Sequence, residues 1–194
     1  MWSAAILAGG QATRFGGRDK SALIVDGRTI LDRQIHELAT VTDDILLVGG
    51  RTSRPGARMV ADVVEGSGPL GGVHAALSEA LGDAVFVVAC DMPYVTAAFA
   101  AHLLHLSQDA DIVVPRTDRG YHPLCAVYTR RCLASIARRL GERQLKLSDL
   151  FAELRTRAVT TEEIDAFGDR DRLLANVNTP SEYAGLGARQ GHKP

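Results

Sequence analysis

Runs of three or four consecutive apolar residues recur along the chain, separated by longer stretches of mixed character. A continuous apolar run of this length is typical of a strand that is buried on both faces of a parallel sheet. The four principal runs are Ala4–Leu7, Ile45–Val48, Val85–Val88 and Ile112–Val114. A fifth, shorter strand is predicted at Met59–Ala61.

The stretches between these runs repeat apolar residues with helical spacing. In Ile30–Leu38, for example, the apolar positions fall at Ile30, Leu31, Ile35 and Leu38. This alternation of strand and helix predicts a three-layer α/β/α sandwich around a Rossmann-like, mostly parallel sheet. Ligands of such sheets bind outside the carboxyl ends of the strands, so residues that follow strands are the first candidates for function. The other predicted helices are Val73–Leu81, Phe99–Leu106 and Leu133–Leu140.

The length of 194 residues suits one sizeable core. We therefore predict a single domain over residues 1–185. Residues 186–194 are polar and rich in glycine, and we expect this tail to be disordered.

The composition of the chain argues against nucleic acid and membranes as binding partners. With 46% hydrophobic residues and a net charge of -1, the chain lacks the bulk basic charge that attracts nucleic acid. No apolar stretch is long enough to span a membrane, and the start has no signal-peptide pattern, so we expect a cytoplasmic protein that binds neither nucleic acid nor membrane. The three cysteines favour neither a disulfide framework nor a zinc site, and we interpret them as small buried residues: Cys90, Cys125 and Cys132.

The first strand leads directly into a glycine-rich loop, Ala8–Lys20, that also carries Arg14. Glycines let backbone N–H groups approach a phosphate, and Arg14 and Lys20 would neutralise its charge. The loop contains neither the G-x-G-x-x-G fingerprint nor the G-x-x-x-x-G-K-[ST] P-loop. The loop therefore predicts a phosphate site of another kind, with a merely flexible turn as the alternative.

A second candidate, Asp91, follows the apolar run Val85–Ala89. A carboxylate at the carboxyl end of a strand faces the ligand crevice, and one aspartate together with substrate phosphates can hold magnesium. The alternative is that Asp91 caps a helix that begins near Pro93 or Thr96.

A second glycine-rich segment, Gly66–Gly72, joins the short strand at Met59 to a helix expected to begin around Val73. Its glycines would admit a base or ribose, or they form only a loop in which Gly71 and Gly72 let the helix pack tightly. Asp62, just upstream, either contacts the nucleotide or ends its strand.

Near the C-terminus, Asn176–Glu182 contains a capping box with Thr179 as N-cap. Helix initiation explains this box but leaves Asn176 and Asn178 unexplained. These two residues alternate on an extended segment and can turn both amides toward one face.

Together these motifs, in this order and spacing, resemble the molybdenum cofactor guanylyltransferases over nearly the whole chain. The resemblance rests on Leu7–Gly10, Arg14, Gly16, Asp19–Lys20, Gly68–Leu70, Asp91–Pro93, His122–Leu124 and Asn176–Pro180.

The resemblance implies a nucleotidyltransferase fold and the transfer of GMP from GTP to the terminal phosphate of molybdopterin, with or without molybdenum. It implies Mg²⁺ on Asp91, charge stabilisation by Arg14 and Lys20, and transient contact with cofactor-synthesis proteins or molybdoenzymes. The residues implied to contact GTP are Leu7, Ala8, Gly9, Lys20, Asp62 and Asp91, and the two glycine-rich segments add Gly10, Gly68, Pro69 and Leu70 as candidates.

The acceptor residues are indicated less directly. By resemblance, Tyr121–Leu124 and Arg139–Lys146 lie near the pterin pocket, which makes His122, Arg143 and Lys146 candidates beside Asn176 and Asn178. A loop histidine and a solvated basic helix end are the alternatives.

The chain departs from the family pattern at Ala12, at Phe15 and at Gly49–Arg51, where an expected asparagine is missing. Two alternative functions stay open. One is a related nucleotidyltransferase that uses CTP, or a sugar or alcohol phosphate as acceptor, and the other is a non-catalytic nucleotide sensor.

Overall fold

The computed structural model of the chain describes residues 1–9, 23–50, 52–61 and 66–177. Eight of the strands in these residues form one sheet, with the spatial order β10-β7-β9-β6-β1-β4-β5 and with β8 paired to β7. The strands are β1 (Trp2–Leu7), β2 (Ile24–Val25), β3 (Arg28–Thr29), β4 (Ile45–Val48), β5 (Arg58–Val60), β6 (Ala84–Ala89), β7 (Ile112–Thr117), β8 (Gly120–Tyr121), β9 (Cys125–Thr129) and β10 (Thr156–Val159).

Most strands of the sheet are parallel. β1 lies between β4 and β6 and pairs in parallel with both, so that Leu7 is opposite Val48 on one side and Ala89 on the other. β9 runs antiparallel between β6 and β7. The carboxyl ends of β1, β4, β5 and β6 therefore meet at one edge of the sheet, which we call the carboxyl edge.

Helices cover both faces of the sheet. α1, α3 and α6 pack on one face with Ala4, Ile6 and Phe86, while α2 and α4 pack on the other with Ala5 and Val87. The helices are α1 (Ile30–Leu38), α2 (Gly68–Glu79), α3 (Ala97–Leu106), α4 (Leu133–Gly141), α5 (Leu150–Glu153), α6 (Thr161–Asp165) and α7 (Arg170–Leu173).

The short strands β2 and β3 form a hairpin that connects the glycine-rich loop to α1. Asp26 and Gly27 at its turn have φ angles of 51° and 80°, the left-handed pair that a tight two-residue hairpin turn requires. Thr29 then caps α1, because its side chain accepts a hydrogen bond from the Asp32 amide at 3.0 Å. The register of α1 is thus set directly after the hairpin.

At the opposite edge of the sheet, Asp44 ties three strands together. Its carboxylate accepts hydrogen bonds from the Ser3 hydroxyl at 2.6 Å, the Leu81 amide at 2.8 Å and the Arg58 guanidinium at 3.0 Å. Burial alone would raise the pKa of Asp44, but these hydrogen bonds and the charge of Arg58 lower it below its usual value. The Gly82 amide donates to Ser3 Oγ at 2.8 Å and completes this connection.

The predicted α/β sandwich is confirmed, and the predicted strands and α1 are present with limits that lie within three residues of the predicted ones. The start predicted for α2 is wrong: the helix begins at Gly68 rather than near Val73, so part of the predicted loop is its first turn. Cys125 and Cys132 are buried as expected, whereas Cys90 is only half-buried. The disordered tail predicted for residues 186–194 lies outside the described residues.

The sequence interpretation also missed β9. All five of its residues are buried, and the strand contacts β6 and β7 through hydrogen bonds on both sides. An apolar run does not reveal the direction in which its strand will run. The pattern therefore could not show that a strand near the middle of the sheet would be antiparallel.

Candidate active site

The centre of the candidate site is a turn at the end of β6, formed by residues 89–92 and called here the Asp91 turn. The Met92 amide donates to the Ala89 carbonyl at 3.2 Å, which closes the turn with Asp91 at its third position. Asp91 is half-buried and lies at the carboxyl edge, as predicted. The N-cap of α3 is Thr96, whose hydroxyl accepts from the Phe99 amide at 3.3 Å. The capping role considered for Asp91 therefore belongs to Thr96.

The end of β1 lies directly beside the Asp91 turn. The Cys90 amide donates to the Leu7 carbonyl at 3.1 Å, and the Ala8 amide donates to Val48 at 2.9 Å. Leu7 is buried, Ala8 is half-buried and Gly9 is exposed, so the chain emerges from the sheet at this point. The glycine-rich loop thus begins next to Asp91. Three predicted residues of that loop, Gly10, Arg14 and Lys20, lie outside the described residues, as does Asp62.

The N-terminus of α2 also lies at the carboxyl edge. Gly68 and Pro69 are exposed, whereas Leu70 is fully buried, so of these three predicted residues only Gly68 and Pro69 present surface at this edge. Ser67 precedes the helix without making a side-chain cap, and the first backbone N–H groups of a helix attract anions.

A close contact brings α2 against β1. A Cβ atom on Gly72 would lie 3.2 Å from a methyl carbon of Leu7. The contact agrees with the alternative in which Gly72 lets the helix pack tightly, although Gly72 lies within α2 and not in a loop before it.

The segment His122–Leu124 reaches the Asp91 turn from the other side of β6. The Ala89 amide donates to the Leu124 carbonyl at 2.9 Å. His122 Nε2 is 3.0 Å from Thr117 Oγ1, and its backbone amide donates to Pro115 at 2.9 Å. Burial, together with the charge of Arg119, lowers the pKa of His122, so its imidazole is neutral near pH 7.

The C-terminal motif meets the Asp91 turn as well. The Val177 amide donates to the Asp91 carbonyl at 2.8 Å. The Val177 side chain is fully buried in a small cluster with Val25, Ile30 and Tyr94, whereas Asn176 is exposed. This alternation agrees with the predicted extended segment. Asn178 lies outside the described residues.

The two basic acceptor candidates lie beyond the end of α4. Because β9 is antiparallel, α4 starts at the opposite edge and its end at Gly141 returns toward the carboxyl edge. Arg143 has a φ of 57° and its amide donates to the Leu140 carbonyl at 3.1 Å, which terminates the helix. Lys146 is 76% exposed and forms an ion pair with Asp149 at 3.6 Å.

One residue that the sequence interpretation did not single out also contacts the Asp91 turn. Gln34 on α1 is 2% exposed, and its side-chain amide donates to the carbonyls of Ala89 and Met92 at 2.8 and 3.0 Å. The signal was present in the sequence, because Gln34 occupies a position where the helical spacing of Ile30, Leu31, Ile35 and Leu38 calls for an apolar residue.

The described residues contain no cluster of three or more histidine, cysteine, aspartate or glutamate side chains that could hold a metal ion. In the same part of the chain, no helix is long and apolar enough to cross a membrane.

Comparison with known proteins places the chain among nucleotidyltransferases. Residues 4–158 match the MobA-like NTP transferase domain. The sequence is 36% identical to a probable molybdenum cofactor guanylyltransferase of Pelotomaculum thermopropionicum, over 91% of this chain and 87% of the relative. It is 34% identical to the molybdenum cofactor guanylyltransferase of Desulfosudis oleivorans, over 91% of this chain and 90% of that protein.

A solved structure supports the fold. Molybdopterin-guanine dinucleotide biosynthesis protein A of Archaeoglobus fulgidus superposes with a TM-score of 0.83 and 24% identity, over 98% of each chain. The predicted family resemblance is confirmed by these comparisons, and the predicted nucleotidyltransferase fold is confirmed with it.

Proposed function

Since the chain belongs to the MobA-like NTP transferase family, we propose that it transfers GMP from GTP to the terminal phosphate of molybdopterin. An oxygen of the pterin phosphate attacks the α-phosphorus of GTP and forms a new phosphoanhydride bond. The bond between the α-phosphorus and the bridging oxygen breaks, and pyrophosphate leaves with its electron pair. The products are molybdopterin guanine dinucleotide and pyrophosphate.

The observation that carries the proposal is the convergence of separate sequence motifs on the Asp91 turn. Backbone hydrogen bonds join this turn to Leu7, where the glycine-rich loop begins, to Leu124 and to Val177. Three motifs that are far apart in the chain thus meet at one carboxylate on the carboxyl edge of the sheet. This edge is where the ligands of an open α/β sheet bind.

Nucleotidyltransferases of this family generally use a divalent metal ion. We assign the ion as Mg²⁺ and Asp91 as its protein ligand, because a half-buried carboxylate at a strand end suits a hard cation that keeps phosphate and water ligands. The bound ion would screen the negative charge of the phosphates and stabilise the charge of the departing pyrophosphate.

The remaining donor contacts are assigned to the glycine-rich loop and to α2. Lys20 and Arg14 would bind the triphosphate and stabilise charge on the leaving group. The backbone of Leu7–Gly10 would lie along the phosphates, and Gly68–Leu70 at the start of α2, with Asp62, would contact the ribose or base.

The acceptor is assigned to the flanks of the Asp91 turn. His122 precedes the segment that binds Ala89 on one side, and Asn176 precedes the residue that binds Asp91 on the other. A neutral His122 can donate one hydrogen bond to the acceptor without adding charge. Arg143 and Lys146 would bind the pterin phosphate from the end of α4, and Asn178 would extend the contact made by Asn176.

No general base is required for the attack. A phosphate monoester is largely ionised at neutral pH, since its second pKa is about 6. The task of the protein is to hold two anionic substrates in line, which is catalysis by positioning and charge stabilisation. We place the reaction in the cytoplasm, with transient contact to cofactor-synthesis proteins or molybdoenzymes.

Calorimetric titration with GTP, CTP and UTP in the presence of Mg²⁺ tests the choice of donor. We expect GTP to bind at least tenfold more tightly than either pyrimidine nucleotide, a difference of about 1.4 kcal/mol. Tighter binding of CTP or UTP would assign the protein to a different transfer reaction. Tight GTP binding without any turnover on authentic molybdopterin would favour the nucleotide sensor.

A further inference from the structure

One face of α1 holds the chain between β6 and α3. Gln34 contacts the two ends of the Asp91 turn, Arg33 Nε donates to the Pro93 carbonyl at 3.1 Å, and Glu37 Oε2 accepts from the Ala97 amide at 2.9 Å. Three side chains from one face of α1, at positions 33, 34 and 37, thus hold the segment that carries Asp91.

The contacts of Gln34 are the ones closest to Asp91 in the chain. The Gln34 side-chain amide has two hydrogens and donates to Ala89 at 2.8 Å and to Met92 at 3.0 Å. These residues are the first and last of the Asp91 turn, whose own closing hydrogen bond measures 3.2 Å. Gln34 therefore sets the separation and the orientation of both ends of the turn.

Packing alone does not explain a glutamine at this position. Gln34 lies in the apolar stripe of α1 and is 2% exposed. Its Oε1 atom is buried and has no hydrogen-bond partner within the described parts of the chain. A buried acceptor without a partner lowers stability, and what offsets this cost is the pair of hydrogen bonds that Gln34 donates to the Asp91 turn.

We propose that Gln34 is a positioning residue that acts through Asp91. By binding both ends of the Asp91 turn, it holds the Asp91 carboxylate where it can bind the metal ion of the metal–triphosphate complex. At other metal sites, mutation of a group that orients a metal ligand typically lowers metal affinity or activity by about 10–100-fold. The inference rests on the proposed function, because it assigns the metal to Asp91.

The test compares the wild-type protein with Gln34→Met, which keeps the approximate length of the side chain but donates no hydrogen bond. GTP affinity is measured twice by calorimetry, once with Mn²⁺ and once with EDTA. In Gln34→Met we expect the gain in affinity that the metal supplies to fall by roughly tenfold or more. The affinity for metal-free GTP should stay within about twofold of the wild-type value.

Ile35→Val is the matched control, because it removes one core methyl group from the same helix and leaves the hydrogen bonds from Gln34 to the Asp91 turn in place. It should lower the melting temperature and leave the metal-dependent gain unchanged. Equal losses with and without metal in Gln34→Met would mean a general structural defect and would overturn the inference. An unchanged metal-dependent gain in Gln34→Met would overturn it as well.

If Gln34→Met does not fold, Gln34→Asn decides, because it retains an amide that is one methylene too short to span both carbonyls. In Gln34→Asn the gain in GTP affinity that the metal supplies should also fall. A gain equal to that of the wild-type protein would overturn the inference. A wild-type protein that binds metal and GTP but transfers no GMP would refute the proposed function, and the titration would still decide the role of Gln34.

Discussion

The backbone amide of Val177 donates a hydrogen bond to the carbonyl of Asp91 at 2.8 Å. This bond joins the last described residue of the chain to the candidate metal ligand, 86 positions earlier in the sequence. With the contacts of Gln34, Leu7 and Leu124, it holds the backbone of the Asp91 turn independently of the Asp91 side chain. Because these hydrogen bonds go to backbone atoms of the turn, they remain available when the Asp91 side chain is replaced.

Asp91→Asn should remove metal-dependent turnover and leave the fold intact. We expect a loss of roughly 100-fold or more in kcat, because an amide is a much weaker ligand for a hard cation than a carboxylate. Activity assays at saturating Mg²⁺ and a thermal melt check this prediction. Asp83→Asn is the control, since Asp83 lies at the other end of β6 and its carboxylate is 90% exposed beside Arg130, with which it forms an ion pair at 3.5 Å. Unfolding of Asp91→Asn would show that the carboxylate serves the structure.

Lys20→Ala should slow the chemical step. Loss of one charge-stabilising donor typically lowers kcat by about 100–1000-fold, or roughly 3 kcal/mol of transition-state stabilisation. Steady-state kinetics with GTP measure the effect. Arg18→Ala removes a neighbouring cation from the same loop and should have a much smaller effect. If the two variants lose the same activity, the loop contributes bulk charge and Lys20 has no specific role.

Gly82→Ala should destabilise the protein by about 1–3 kcal/mol through overpacking. A Cβ atom at this position would lie 2.6 Å from the Met1 carbonyl oxygen and 2.8 Å from the Ser3 nitrogen, and neither backbone atom can move aside easily. Urea unfolding gives the difference. In Gly141→Ala the new Cβ has no neighbour within 4 Å, and this variant should be neutral or more stable. Equal stability of both variants would contradict the packing seen at Gly82.

Asp44 should make stability depend on pH in the acid range. Its pKa is lower in the folded protein than the ordinary value of 3.8, so the contribution of the carboxylate is complete above pH 3.8 and disappears as the pH falls through the folded pKa. Asp44→Asn should cost about 1–3 kcal/mol at pH 7, and this difference should shrink below pH 3.8. Urea unfolding between pH 2 and 7 tests this, and a difference that grows toward acid pH would show a raised pKa instead.

Much of the architecture could be predicted from apolar patterning. β4 and α1 have the predicted limits because Ile45–Val48 is a clean apolar run and because Thr29 provides a cap just before the helical spacing of Ile30–Leu38 begins. α2 was predicted to start too late because Gly68 and Pro69 are usual signals of a loop. In this chain Pro69 lies in the first turn of the helix, where its missing N–H group has no partner to lose.

Part of the candidate site was also predictable from apolar patterning. Asp91 follows a strand, and the rule that ligands bind at strand ends is enough to single it out. The contact between Gln34 and the Asp91 turn depends on how α1 packs across the sheet, and helical spacing alone shows only that a polar residue lies in an apolar stripe. The roles of all the site residues remain predictions, and Lys20, Arg14 and Asp62 also lie outside the described parts of the chain.

The proposed function of this protein is to join GMP to molybdopterin. The most direct test mixes the wild-type protein with GTP, Mg²⁺ and molybdopterin, and follows pyrophosphate release together with formation of the guanine dinucleotide. We expect both products in equal amounts, with no release when CTP replaces GTP or when molybdopterin is omitted. The absence of pyrophosphate with authentic molybdopterin, or faster release from CTP than from GTP, would contradict the proposed function.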